Sequence, residues 1–194
     1  MHPSQLYLPE LRRNYYKSEI SAYSRIFNER LFPSFDNIEK EADEFADNYY
    51  EELCRSTFDE SGDLSGLAEK ALHKSIIYYS ELRAVKYAFT AIAISSLYHI
   101  WEQQVRKFLY NEMSHTYKIE FTDFCPAGMR DIKPHFQFHN LDLEKLSCWG
   151  KIDELRLLSN VIKHGDGGSA EQLSERNKEL FKQPIFKFEN RPTL

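Results

Sequence analysis

"LAEKALHKSIIYYSELRAVKYAFTAIAISSLYHIWEQQVRKFLYNEMS", Leu67–Ser114, contains neither proline nor glycine. Leu72, Ile76 and Tyr79, then Phe89, Ile92, Leu97, Ile100, Trp101, Val105 and Phe108, recur at helical spacing. Such a run predicts the trunk of an all-helical fold, either as one very long helix or as two helices joined near Ser80–Arg83. The break is the expectation, because the stretch greatly exceeds an ordinary globular helix. Its most apolar part, Ala84–Trp101, includes Lys86 and His99 and is flanked by Arg83 and Glu102. It is too polar to span a bilayer and reads as a core helix.

Upstream, residues 1–33 read as an N-terminal arm holding a short helix. "PSFDNIEKEADEFADNYYEELCRS" follows, with Ser34 or Asp36 as the N-cap and acids in the first turns. Ile38, Phe45, Tyr49 and Leu53 give it about five helical turns. "FDESGDLSG" reads as a loop broken by Gly62 and Gly66. Downstream, the segment from Thr116 to Cys148 holds Pro126, Gly128 and Pro134. It also holds the alternating "HFQFH", and predicts loop, short helices and a local strand. A helix from about Cys148 to Gly165 and a short one over "SAEQLSERNKELF" complete one helical-bundle domain, residues 34–182. The tail, residues 183–194, is expected to be extended.

Of the 194 residues, 42% are hydrophobic, 28% charged and 14% aromatic, which suits a folded globular protein and excludes a disordered one. The net charge of −5 argues against a general nucleic-acid binder but leaves room for a local basic site. Cys54, Cys125 and Cys148 lack C-x-x-C spacing and read as reduced, mostly buried thiols. The opening "MHPSQLYLPELRRNYY" has no basic start followed by an apolar run, so the expected location is the cytoplasm. No cofactor is expected. His135 and His139 lack a third ligand, and the acidic run Glu39–Asp47 has no E-x-x-H pair, so neither makes a convincing metal site.

The chemistry-bearing stretch is "ELRLLSNVIKHGDGGSA", Glu154–Ala170. Ile152, Leu155, Leu158 and Ile162 fall on one arc and are the expected core face. Leu157 and Val161 point elsewhere, which fits a central helix or one covered by a second subunit, and gives the expectation of a homodimer with this helix at or beside its interface. Arg156, Asn160 and His164 share a polar strip between the two apolar regions. His164 stands in the last turn, where helix carbonyls favour a cation. The strip suits a solvated seam, and it equally suits a site for phosphate chemistry.

"CWGKIDELRLLSNVIKHGDGG", with N-x-x-x-H running into glycine, resembles the last helix of HEPN proteins. "SSLYHIWEQQVRKFL", with Glu102 after an aromatic residue, resembles an earlier helix of the same family. The resemblance covers about residues 70–182 and implies a bundle of four to five main helices, often a homodimer with paired sites at its interface. Some members are metal-independent ribonucleases of toxin or defence systems, some are non-catalytic modules, and some are toxins held by a partner nucleotidyltransferase. By resemblance, His164 would be the base, Arg156 the phosphate-facing cation and Asn160 the orienting amide. The sequence departs from the family where its arginine would precede Asn160, because that position is Ser159. Seven residues separate Arg156 from His164, outside the family's spacing. On sequence, Ser159→Arg would restore that spacing. A ribonuclease and a non-catalytic binding module both remain open at this point.

Overall fold

A computed structural model describes residues 5–56, 64–124, 128–165 and 167–181. All regular structure among them is helical, with no strand. The helices are α1 (Glu10–Ile26), α2 (Ile38–Ser56), α3 (Leu64–Ser114), the single-turn α4 (Phe121–Phe124), α5 (Met129–Phe138), α6 (Trp149–His164) and α7 (Gly168–Arg176). The chain divides into two compact units, Pro9–Ala93 on one side and Met1–Leu8 with Ile94–Leu194 on the other.

In the Pro9–Ala93 unit, α1 widens into a π turn at Phe27–Leu31 and tightens into a 3-10 turn at Phe32–Phe35, where Pro33 lacks the amide a longer helix needs. α2 starts at Ile38, so neither Ser34 nor Asp36 is its cap. The carbonyl of Asn37 accepts the first helical bond, from the Glu41 amide (2.9 Å), while the Ser34 hydroxyl donates back to Leu31. α2 rests on α3 through the buried Ser75 hydroxyl, which donates to the Ala42 carbonyl (2.8 Å), and through Phe45 stacked on Tyr78 (4.7 Å between centroids). The Tyr23 hydroxyl of α1 donates to the Ala93 carbonyl (3.2 Å).

The expected break near Ser80–Arg83 is absent, and α3 runs unbroken for 51 residues. Nothing in that stretch removes an amide, and the Ser80 hydroxyl turns back onto the Ile76 carbonyl (2.8 Å) within the helix. Gly66, expected as a breaker, lies in its first turn, while residues 57–63 of the expected loop lie outside the described set.

The core of the second unit joins Leu109 and Met113 of α3, Met129, Ile132 and Phe136 of α5, Leu143 and Trp149. Met129, Ile132 and Phe136 stand at i, i+3 and i+7, and this apolar face explains why "HFQFH" is helical and not the expected strand. Phe136 is buried and Phe138 is exposed. The period-2 pattern lost to tertiary packing, with Pro134 tolerated inside α5. Leu6 packs on this core, and the Tyr7 amide donates to Glu112 (2.9 Å).

α6 runs back along α3, with Trp149 in the cluster of Leu109 and Ser159 bonded to Ser95. It ends at Gly165, whose φ of +71° favours glycine. Its buried residues lie on two sides, Asp153 and Leu157 on one and Ser159, between Ile152 and Leu155 of the expected arc, on the other. Trp149, Asp153, Leu157 and Ser159 are buried, whereas Ile152, Leu155, Leu158 and Ile162 are half-buried. Leu157 is fully enclosed within one chain and so gives no motive for a partner subunit on that side. Cys54 is half-buried and Cys148 exposed, contrary to the buried thiols expected, and Cys125 lies outside the described residues. No helix among the described residues is long and apolar enough to cross a membrane.

Candidate functional site

The polar strip of α6 meets two elements of its own unit, the Ile94–Ser114 part of α3 and the helix α7. Asp153 is its centre. One carboxylate oxygen accepts from Arg156 Nε (2.7 Å), one turn on, and the other from Arg176 Nη1 of α7 (2.6 Å). Burial pushes the Asp153 carboxyl upward, but the two guanidinium hydrogen bonds outweigh it, and the group is held below the usual carboxylate range. α7 is fastened twice more. Asn177 donates to Glu154 (2.9 Å), and Asn160 Nδ2 reaches Ser169 Oγ (3.4 Å). The Asn177 and Lys151 hydrogen bonds lower the Glu154 carboxyl as well. Leu173 and Ala170 of α7 are buried beneath these polar contacts.

Two of the three expected site residues are therefore tied into the fold. Arg156 is paired with Asp153 and only partly exposed, and Asn160 is turned toward α7. His164 stands exposed at the end of α6. Ser159 is fully buried, its hydroxyl 2.9 Å from that of Ser95. The position where the family would carry arginine thus points into the packed contact with α3, with no room for a guanidinium.

A second polar group on α3 faces this strip. The Tyr98 hydroxyl donates to Glu102 Oε1 (3.0 Å), and Arg106 Nη2 lies 3.6 Å from Glu102 Oε2. Burial, with the Glu102 carboxylate second, pushes the Tyr98 phenol upward, while Arg156 pulls it the other way. His99 Nδ1 is 3.7 Å from Glu102 Oε2, and its Nε2 takes the Lys163 ammonium of α6. Of this group, sequence reasoning singled out Glu102 alone as part of a motif. Tyr98, Glu102 and Arg106 at four-residue steps on one helix were the available signal. The pairings His99–Lys163 and Asp153–Arg176 span 64 and 23 residues, beyond any local spacing rule.

Among the described residues, no group of three or more His, Cys, Asp and Glu side chains is arranged to hold a metal ion. His139 is buried beside Tyr117 at the end of α5. The arrangement presents an exposed imidazole, that of His164, at the end of a helix whose Arg156 is already paired with Asp153.

Comparison with protein-family models, with curated proteins and with solved structures gives no match.

Proposed function

We propose that Ile94–Phe181 is a HEPN-like helical module that binds a partner without cutting RNA. The supporting observation is the pairing of Arg156 with Asp153 at 2.7 Å. A ribonuclease of this type needs a cation able to meet the charge growing on the phosphorane. A guanidinium held by a carboxylate, which also anchors Arg176 of α7, is poorly placed for that task. The N-x-x-x-H pattern then serves the fold, with Asn160 on α7 and His164 at the helix end. RNA and an antitoxin-like protein, a nucleotidyltransferase among them, are the partners this reading admits. Full-length chain incubated with bulk RNA should leave its length distribution at the level of a no-protein control, with and without chelator.

A second reading, a metal-independent endoribonuclease of a toxin or defence system, draws on one specific feature. His164 is exposed and follows Lys163, whose ammonium meets His99. There His164 is the base, Arg156 the phosphate-facing charge and Asn160 the orienting amide. Chelator-resistant cleavage abolished by His164→Ala would establish this reading and overturn the first. The homodimer implied by the family resemblance belongs to both.

A further inference from the structure

Within the Pro9–Ala93 unit, α2 and the first turns of α3 form an open cleft of about 440 Å³, inside the roughly 300–1,000 Å³ range of small-molecule sites. Lys70, His73 and Lys74 stand at i, i+3 and i+4, which puts them on one face of α3, and all three line the cleft. Each is exposed, and none makes an ion pair or hydrogen bond with another described residue. Like charges at this spacing repel one another, so the fold alone gains nothing from grouping them. Tyr49 supplies the α2 wall, and its ring lies parallel to that of Phe45 (7° between planes, 6.3 Å between centroids). Phe45 is in turn stacked on Tyr78 of α3, so the wall is held in place before any ligand arrives. Glu69 brings a carboxylate to the same lining.

We infer that this cleft binds a small phosphomonoester, with its phosphate on Lys70, His73 and Lys74 and its organic body against the Tyr49 ring. A phosphomonoester carries a charge of about −1.5 to −2 near pH 7 and three terminal acceptor oxygens. Lys70 and Lys74 match that charge, and with the His73 ring they bring N–H donors from three side chains to three oxygens. A carboxylate offers one charge and two oxygens, and would leave one of the lysines unanswered. A bare phosphate ion fills only part of the cleft, whereas an attached body covers the apolar face of Tyr49. Glu69 accepts a hydroxyl or an amine from that body. The positive charge is confined to this spot. Asp43, Glu44, Asp47, Glu51 and Glu52 make α2 acidic along its length, so no basic track runs on for the many phosphates of a nucleic-acid backbone. The inference stands apart from the α6 strip and from whether the other unit cuts or binds RNA.

The test is equilibrium dialysis of the full chain at low salt, where charge contacts are least screened, with phenyl phosphate and with inorganic phosphate as separate probes. Phenyl phosphate should bind with a dissociation constant below ~1 mM and at least ~10-fold more tightly than inorganic phosphate. Lys70→Ala/Lys74→Ala should weaken phenyl phosphate at least ~50-fold. The charge-matched control Lys17→Ala/Lys107→Ala, at lysines that do not line the cleft, should leave it within ~2-fold. Tyr49→Ala should weaken phenyl phosphate about 10-fold and leave inorganic phosphate unchanged. Lys70 and Lys74 are exposed and alanine favours helix, so helix content by circular dichroism should match the parent. Should it fall, Lys70→Gln/Lys74→Gln supplies the comparison. Phenyl phosphate binding weaker than ~1 mM, or indifferent to residues 70 and 74, would overturn the inference. Inorganic phosphate binding as tightly as phenyl phosphate would reduce the cleft to a bare anion spot and overturn the monoester. So would displacement of phenyl phosphate by a short RNA with hydroxyl ends, because that would assign the lysines to a nucleic-acid backbone.

Discussion

The hydroxyls of Ser95 and Ser159 meet at 2.9 Å across the α3–α6 contact, both buried. This small polar pair sets how closely the two helices approach, and it reverses the expectation for Ser159→Arg. The sequence motif suggested that arginine there would complete a phosphate site. In the structure it would force a guanidinium into a fully enclosed position with no carboxylate among its hydrogen-bond partners. Ser159→Arg should cost about 3–5 kcal/mol or prevent folding, and RNA cleavage should not appear. Ser159→Ala should cost only about 1 kcal/mol, that of one buried hydroxyl left without its mate. Urea unfolding of the two variants checks the ordering, and a stable Ser159→Arg protein would refute it.

Asp153 gives a prediction with a defined pH direction. Its carboxyl is held lower in the folded chain than in the unfolded one, because the Arg156 and Arg176 hydrogen bonds outweigh burial. The unfolded chain therefore binds the proton first as pH falls. The stabilising contribution is complete above the unfolded aspartate range near 3.9 and fades as pH drops through the lower folded value. Asp153→Asn should lower the melting temperature at pH 7, with a cost of about 2 kcal/mol for two charge-assisted bonds. The gap between parent and variant should close on acidification below pH 4. A gap that stays constant across that range would mean the carboxylate charge contributes nothing.

The extent to which the sequence was readable follows from how local each cause is. The stretch from Leu67 to Ser114 announces a helix because every residue in it tolerates one, and only its length as a single helix was misjudged. α6 was legible at both ends, since Gly165 fixes its stop. Its inward face was not, because a helix with Leu at 155, 157 and 158 has more than one apolar arc. Leu157 and Ser159 stand on nearly opposite sides of α6, so the helix is covered twice, by α3 at the Ser95–Ser159 pair and by α7 on the side of Asp153. The helical character of α5 is not legible in "HFQFH", because Met129 and Ile132, whose burial makes it helical, stand before that stretch. The candidate site was legible as a strip of three residues. The contacts that hold Asn160 and tie Asp153, the partner of Arg156, to α7 were not, since Ser169 and Arg176 belong to another helix.

Tyr98 should behave as a marker of the α3–α6 contact at alkaline pH. Burial, then the Glu102 carboxylate, hold its phenol neutral beyond the ordinary tyrosine range in the folded chain. An unfolded chain ionises first, so stability is unaffected below about pH 10 and is lost as pH rises above it. In absorbance titration the tyrosinate signal should therefore include a late component from Tyr98 that appears together with unfolding. Tyr98→Phe should remove that component and flatten the alkaline loss of stability. Ordinary titration of every tyrosine in the intact fold would contradict the assignment.

Leu157 and Leu158 are neighbours with the same side chain, and the fold treats them differently. Leu157 is fully enclosed within one chain, whereas Leu158 is half-buried on the arc of Ile152, Leu155 and Ile162. Removing three carbons from an enclosed leucine loses their transfer energy and leaves a cavity that a helix pinned at Ser159 and Asp153 cannot close. Leu157→Ala should therefore cost about 3–5 kcal/mol. Leu158→Ala loses a smaller share of buried area, and solvent can reach the vacated space, so about 1–2 kcal/mol is expected. Chemical denaturation at a fixed protein concentration, below the dissociation constant of any dimer, measures both on one scale. Equal costs, or the reverse order, would return the core to the arc of Ile152, Leu155, Leu158 and Ile162. It would also restore Leu157 as a residue waiting for a partner subunit.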